Sequence, residues 1–105
     1  MSPTKEGPFK WKVTFSPTAD KQLEKLDPGI CRTINRYVLN HLATEENPRR
    51  FGKPLTGNLK EYWRYRIGDY RLLCEIHDHK LTIVAVKIAH RRDVYKNLHL
   101  LKFSS

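Results

Sequence analysis

Long hydrophobic runs are missing from this sequence. No stretch approaches the ~18 consecutive apolar residues of a membrane span, and the opening Met1-Ser2-Pro3-Thr4-Lys5-Glu6-Gly7 has no signal-peptide core. The expected location is cytoplasmic. Cysteine is nearly missing as well: Cys31 and Cys74 stand alone without metal-ligand spacing, so two reduced core thiols are expected rather than a disulfide framework or a thiolate metal site. No internal repeat is present, which excludes a solenoid. At 105 residues the chain has room for one core and not for two. An apolar fraction of 39% beside 30% charged residues excludes both a disordered polyelectrolyte and a membrane protein.

Acidic residues are scarce in one half only. Residues 1–48 hold seven Lys/Arg against six Asp/Glu, whereas residues 49–105 hold thirteen against five, so nearly all of the net charge of +9 sits in the second half. An anionic partner would meet that half, because neutralisation and counterion release favour docking there. Charge alone does not choose between nucleic acid and an acidic protein segment.

The first eight residues, with two prolines and a glycine, read as a loose tail, and residues 9–105 as the folded domain. Phe9 to Phe15 alternates as a strand. Ser16-Pro17 then supplies a helix cap and a first-turn proline, and Ala19, Leu23 and Leu26 share a helical face. Asp27-Pro28 repeats the start signal before a second helix whose stripe runs Ile30, Ile34, Tyr37, Val38, His41, Leu42. Residues 44–60 carry Pro48, Gly52, Pro54 and Gly57 and predict a connecting loop, with Phe51 and Leu55 as anchors. Tyr62–Ile67 and Tyr70–Ile76 flank Gly68-Asp69, a two-residue hairpin turn. Leu81–Ile88 reads as a buried strand, and Asp93 as the cap of a short last helix with Val94, Tyr95, Leu98 and Leu101. Trp11, Trp63 and Phe51 read as core. The fold class is α+β, in the order β-α-α-β-β-β-α, with a mostly antiparallel four-stranded sheet and a helical hairpin on one face.

A turn at Gly68-Asp69 sets Arg66 opposite Arg71, and period-two geometry puts Arg64 beside them. Like charges opposed on a sheet cost up to about 1 kcal/mol, which an absent polyanion would offset. Trp63, Tyr65 and Ile67 would be buried on the other face, leaving the arginines exposed in mid-sheet, with Glu75 in register to pair with one of them. His90-Arg91-Arg92 follows the last strand, where rigid scaffolds present chemistry, and Tyr95 comes after it. Lys53 and Lys60 stand ready to hold a phosphate backbone. His77 and His79 read as turn residues, and no metal site is expected.

The run YWRYRIGDYRLLCEI from Tyr62 to Ile76, followed after one strand by HRRDVY from His90 to Tyr95, resembles the RelE/ParE superfamily of type II toxin–antitoxin toxins, and its RelE branch in particular. The resemblance implies a RelE-like domain in a prokaryote that cleaves mRNA in the ribosomal A site, by attack of a ribose 2′-hydroxyl on the adjacent phosphodiester. It implies a cognate antitoxin as partner and no cofactor or membrane. By position it implies catalytic roles for Arg64, Arg66 and Arg71 around the scissile phosphate, for Arg91 at the leaving oxygen and for Tyr95 as a base-stacking ring. Lys53, Lys60, His90 and Arg92 would bind RNA.

RelE itself has lysines where Arg64 and Arg66 stand. A guanidinium is ionised below pH ~12 and is a poor base, so charge stabilisation of the phosphorane is the expected contribution. His90 is the nearby group whose ordinary range suits proton transfer at neutral pH. Two alternatives stand beside this reading: a ParE-type inhibitor that blocks DNA gyrase by binding, and a degenerate member that only binds RNA.

Overall fold

A computed structural model describes residues 10–101. The expected tail and the strand start at Phe9 lie outside the described residues. The elements run β1 (Lys12–Phe15), α1 (Pro17–Glu24), α2 (Pro28–Val38), β2 (Lys53–Pro54), β3 (Tyr62–Ile67), β4 (Tyr70–His77) and β5 (Thr82–His90). The sheet order is β1-β5-β4-β3-β2, with β1 parallel to β5 and every other pair antiparallel.

Each start signal read from the sequence has its physical counterpart. Ser16 Oγ accepts the Ala19 amide at 3.1 Å, and Pro17 opens α1. Helix α2 continues into a π-helical turn over Leu39–Ala43. The carbonyl of Ala43 there accepts the amides of Lys10 and Trp11 at 2.8 and 3.0 Å. Those bonds tie residues 10–11 to the helix end, so among the described residues the strand begins at Lys12.

Two elements differ from expectation. The loop over residues 44–60 contains a fifth strand: Lys53 and Pro54 pair with Arg64 and Trp63. A two-residue strand ending in proline carries no alternation to read. The expected last helix does not start at Asp93: residues 91–97 form successive turns, followed by a 3₁₀ turn over Leu98–Leu100, and among the described residues only Leu101 is α-helical there. Asn97 takes a left-handed φ of 57°, and Lys87 Nζ occupies the carbonyl of Lys96 at 2.6 Å, an oxygen that a continuing helix would need. Asp93 caps nothing and instead pairs with Lys96 at 3.0 Å.

The sheet carries a buried cluster on each face. On the helix side, Tyr65, Leu72, Cys74, Ile83, Ala85 and Ile88 pack against Ala19, Ile34, Val38 and Leu42. On the opposite side, Tyr62 and Leu73 pack against Leu55, Val94 and Leu101. Trp11 is buried and Trp63 half-buried, but Phe51 is 42% exposed, so its expected anchoring role falls to Leu55. Between Leu73 and Cys74 the β4–β5 ladder slips: Leu73 faces Lys87 and Cys74 faces Ala85, leaving Val86 as an extra residue. This bulge allows Ala85 and Ile88 to be buried on the helix side with two residues between them.

Candidate nucleic-acid interface

The hairpin register is as the turn predicts. Ile67 faces Tyr70, Arg66 faces Arg71, and Arg64 faces Leu73. Across the whole sheet this produces two rows on the face away from the helices: Lys53, Arg64, Leu73 and Lys87, then Arg66, Arg71 and Ala89. The face is not bare, because the second core cluster covers part of it. Arg64 and Arg71 are half-buried and Arg66 is exposed.

The guanidinium groups take different partners. Arg64 Nη1 donates to the Tyr95 hydroxyl at 2.6 Å, and its Nε is buried with no hydrogen-bond partner. Arg71 Nη1 folds onto the turn, donating to the carbonyls of Gly68 and Tyr70 at 2.8 Å each. Arg66 has no ion pair or hydrogen bond from its side chain among the described residues. None of these three meets a carboxylate. Glu75, expected to pair with an arginine, lies instead 3.0 Å from His77 Nε2.

The basic segment after β5 is pinned to the hairpin tip. The amide of Arg91 donates to the carbonyl of Asp69 at 2.8 Å, and its guanidinium Nε lies 3.8 Å from the Asp69 carboxylate. Both side chains are about two-thirds exposed, at 60% and 68%, so water screens the pair and Arg91 stays available. Val94 is fully buried beneath the segment, which leaves Tyr95, 49% exposed, over Arg64. Arg91, Arg71 and Arg66 thus gather at one end of the hairpin, with Arg64 and Tyr95 one row inward. Lys53 joins them opposite Arg64.

Three sequence-based assignments need restating. His90 stands in the row of Ile67 and Tyr70, on the helix side, with its ring edge-on to Tyr70 at 5.6 Å between centroids. Its Nδ1 accepts the Arg92 amide at 3.2 Å, so the neutral ring carries its proton on Nε2. His90 is therefore separated by the sheet from the arginines it was expected to serve. Arg92 is exposed, and so is Lys60 on the connection before β3; among the described residues neither side chain forms a hydrogen bond or an ion pair with the cluster.

Lys87 is the residue that sequence reasoning missed. It sat in a run of branched apolar residues and was read only as part of a buried strand. The bulge turns it to the arginine face, where burial lowers its pKa from the ordinary lysine value against the pull of the Asp93 carboxylate. The excess of Lys/Arg after residue 48 was the available signal.

Residues 13–95 match the family described as ParE toxin of the type II toxin–antitoxin system parDE. The chain belongs to this superfamily of type II toxins. The toxin is 37% identical to Toxin RelG of Mycobacterium tuberculosis over 86 residues, which cover 82% of this chain and 97% of the relative. Toxin RelE of the same organism is 31% identical over 86 residues, covering 82% and 87%. The toxin also resembles a chain in the crystal structure of the M. tuberculosis RelBE2 toxin–antitoxin complex, with a TM-score of 0.72, 36% identity and coverage of 83% of this chain and 98% of that one. The expected α+β architecture, with two helices on a mostly antiparallel sheet, is the one these toxins share. Among the described residues no helix is long and apolar enough to cross a membrane.

Proposed function

We propose that this toxin is a ribosome-dependent endoribonuclease of the RelE kind, held silent by an antitoxin. The observation that carries the reading is the gathering of Arg64, Arg66, Arg71, Arg91 and Tyr95 at one end of the hairpin, with only the exposed Asp69 close to Arg91.

The chemistry follows from the residue types. As a ribose 2′-hydroxyl gives its proton to solvent and its oxygen attacks the neighbouring phosphorus, negative charge builds on the equatorial oxygens. The P–O5′ bond then breaks to leave a 2′,3′-cyclic phosphate, and the departing 5′-oxygen, negatively charged as it leaves, takes a proton from solvent. Guanidinium forks stabilise such charge without losing a proton. Arg64 and Arg66 serve the phosphorane, while Arg91, exposed at the hairpin tip, reaches the leaving oxygen. Tyr95 supplies an exposed ring for a base and holds Arg64 by its hydroxyl until RNA arrives. His90 lies on the wrong side of the sheet to relay the proton, and the site pairs no histidine with a carboxylate near the phosphate. Orientation of the RNA by the ribosome supplies what acid–base chemistry does not, since positioning alone is worth several kcal/mol.

The antitoxin assignment rests on charge and on relatives. A RelBE2 relative was crystallised as a toxin–antitoxin complex, and an acidic, partly disordered segment laid over the arginine face would neutralise it. The ParE description of the matched family favours a second reading, inhibition of DNA gyrase by binding. Retention of Arg91 and Tyr95 beside the hairpin arginines favours the first.

Arg91→Ala separates them. Primer extension on messengers after a pulse of expression is expected to show breaks within codons for the parent toxin and none for the variant, with unchanged circular dichroism. Intact messengers together with gyrase-poisoned DNA in the parent would replace the ribonuclease reading with the second.

A further inference from the structure

A second basic surface lies on the other side of the sheet, and the arginine face does not account for it. Helix α2 and its π-helical turn present Thr33, Arg36, Tyr37, Asn40 and His41 along one side, and with Arg66 these residues line an open cleft of about 290 Å³. None of the lining residues is acidic. Neither Arg36 nor Arg66 forms an ion pair or a side-chain hydrogen bond among the described residues. The cleft lies at the open edge of β3, because β2 covers that strand only at Trp63 and Arg64.

Aromatic rings continue the cleft outward. His41 stacks on Tyr37 with centroids 4.5 Å apart and planes 12° from parallel, and Phe51 meets His41 edge-on at 4.8 Å. The Arg50 guanidinium lies 5.4 Å from the Phe51 ring. Phe51 is 42% exposed, so part of its ring stays open beside these two contacts. His41 Nδ1 is buried without a partner. Arg50 also pairs with Glu45 at 3.9 Å, which leaves Arg36 and Arg66 as the unpaired cations here among the described residues and Phe51 as the exposed ring. Cations beside a sequence-tolerant stacking surface are the two components of a single-strand nucleic-acid groove.

We infer that the cleft between α2 and the free edge of β3 binds single-stranded RNA beside the cleavage site, with Arg36 on its phosphates, Arg66 at the junction of the two surfaces and Phe51 stacking a base. The volume lies at the small end of ligand pockets, which begin at about 300 Å³, and has room for one nucleotide unit at a time. Arg66 belongs to both surfaces: its strand position is on the arginine face and it lines the cleft. It marks the point where a strand passes around the sheet edge. The choice of RNA among polyanions rests on the ribonuclease reading above, whereas the cleft's affinity for a strand does not depend on cleavage.

The test measures binding without turnover. A fluorescein-labelled, fully 2′-O-methylated oligoribonucleotide, which has no attacking hydroxyl, is titrated with parent toxin, Arg36→Ala, Arg36→Lys and Phe51→Ala over a range of salt concentrations. Removing one phosphate contact reduces the slope of log K against log[salt] by about 0.7 for a single strand, and this is expected for Arg36→Ala but not for Arg36→Lys. Phe51→Ala is expected to weaken binding about fivefold or more at every salt concentration, with the slope unchanged. Both sites are exposed, and matched thermal melts verify that the variants are folded. Parent-like affinity and slope in Arg36→Ala and Phe51→Ala would overturn the inference. So would unchanged RNA binding accompanied by weaker antitoxin binding, which would make the cleft a protein surface. Loss of binding in these variants with no messenger cleavage by the parent would sustain the cleft and overturn only the ribonuclease reading.

Discussion

Lys87 holds its ammonium where burial opposes the charge, and its folded-state pKa is accordingly below that of the unfolded chain. Between the folded value and the unfolded value of about 10.4, the unfolded chain binds more protons, so this residue contributes stability that increases as pH rises through that window. Denaturant titrations of the parent and Lys87→Met at several alkaline pH values should therefore show the parent gaining on the variant as pH climbs. A difference that stays flat, or runs the other way, would mean that the ammonium is solvated. The same residue explains a feature of the basic segment. By donating to the Lys96 carbonyl, Lys87 fixes the turns that carry Tyr95 over Arg64. None of this was legible in the sequence, because a single lysine between Val86 and Ile88 looks like an outward residue of any strand. The partners of the guanidinium groups were equally hidden, since the hairpin register determines which arginines share a face but not which carbonyl or hydroxyl each one finds.

At the scale of elements, β5 changes partners along its length. Its first half pairs with β1, which ends at Phe15 opposite Ala85, and beyond that point its outer edge faces α1. Gln22 of α1 protects this edge: its side-chain carbonyl accepts the Ile88 amide at 2.7 Å. An unpaired strand edge is a template for aggregation, and covering it with a helix is a common protection. Gln22→Ala leaves a partly buried amide without an acceptor and is expected to cost about 1–3 kcal/mol, read as a lower urea midpoint. Unchanged stability would mean that water replaces the side chain at no cost. The sequence made α1 and α2 readable through Ser16-Pro17, Asp27-Pro28 and the apolar stripe, and it made the hairpin readable through Gly68-Asp69. It concealed β2, whose two residues carry no periodicity. It also suggested a helix starting at Asp93, which the left-handed Asn97 and the engaged Lys96 carbonyl interrupt.

At the scale of the molecule, one sheet separates two cores of unequal weight. The helix-side core holds the fold, and the smaller cluster of Tyr62, Leu73, Val94 and Leu101 holds the basic segment against the hairpin. Leu73 is fully buried, so Leu73→Ala is expected to cost about 2–5 kcal/mol. More specifically, it should raise amide hydrogen exchange in residues 91–101 before it does so in α2, because the segment opens as a local unit. Uniform acceleration across both would show that the two cores unfold together.

The sequence by itself determined the class of fold, the hairpin and the placement of Arg64, Arg66 and Arg71 on one face, because caps, turn residues and period-two alternation act over a few neighbouring residues. It also located the positive charge, which depends only on composition. Only the tertiary structure decided that His90 lies across the sheet from the arginines, that Lys87 joins them, that Phe51 stays exposed and that Arg36 and Arg66 line one cleft at an open strand edge. Each of these depends on a bulge, on a two-residue strand or on contacts between distant segments. Such features arise when separate elements pack, and no local pattern of residue types encodes them.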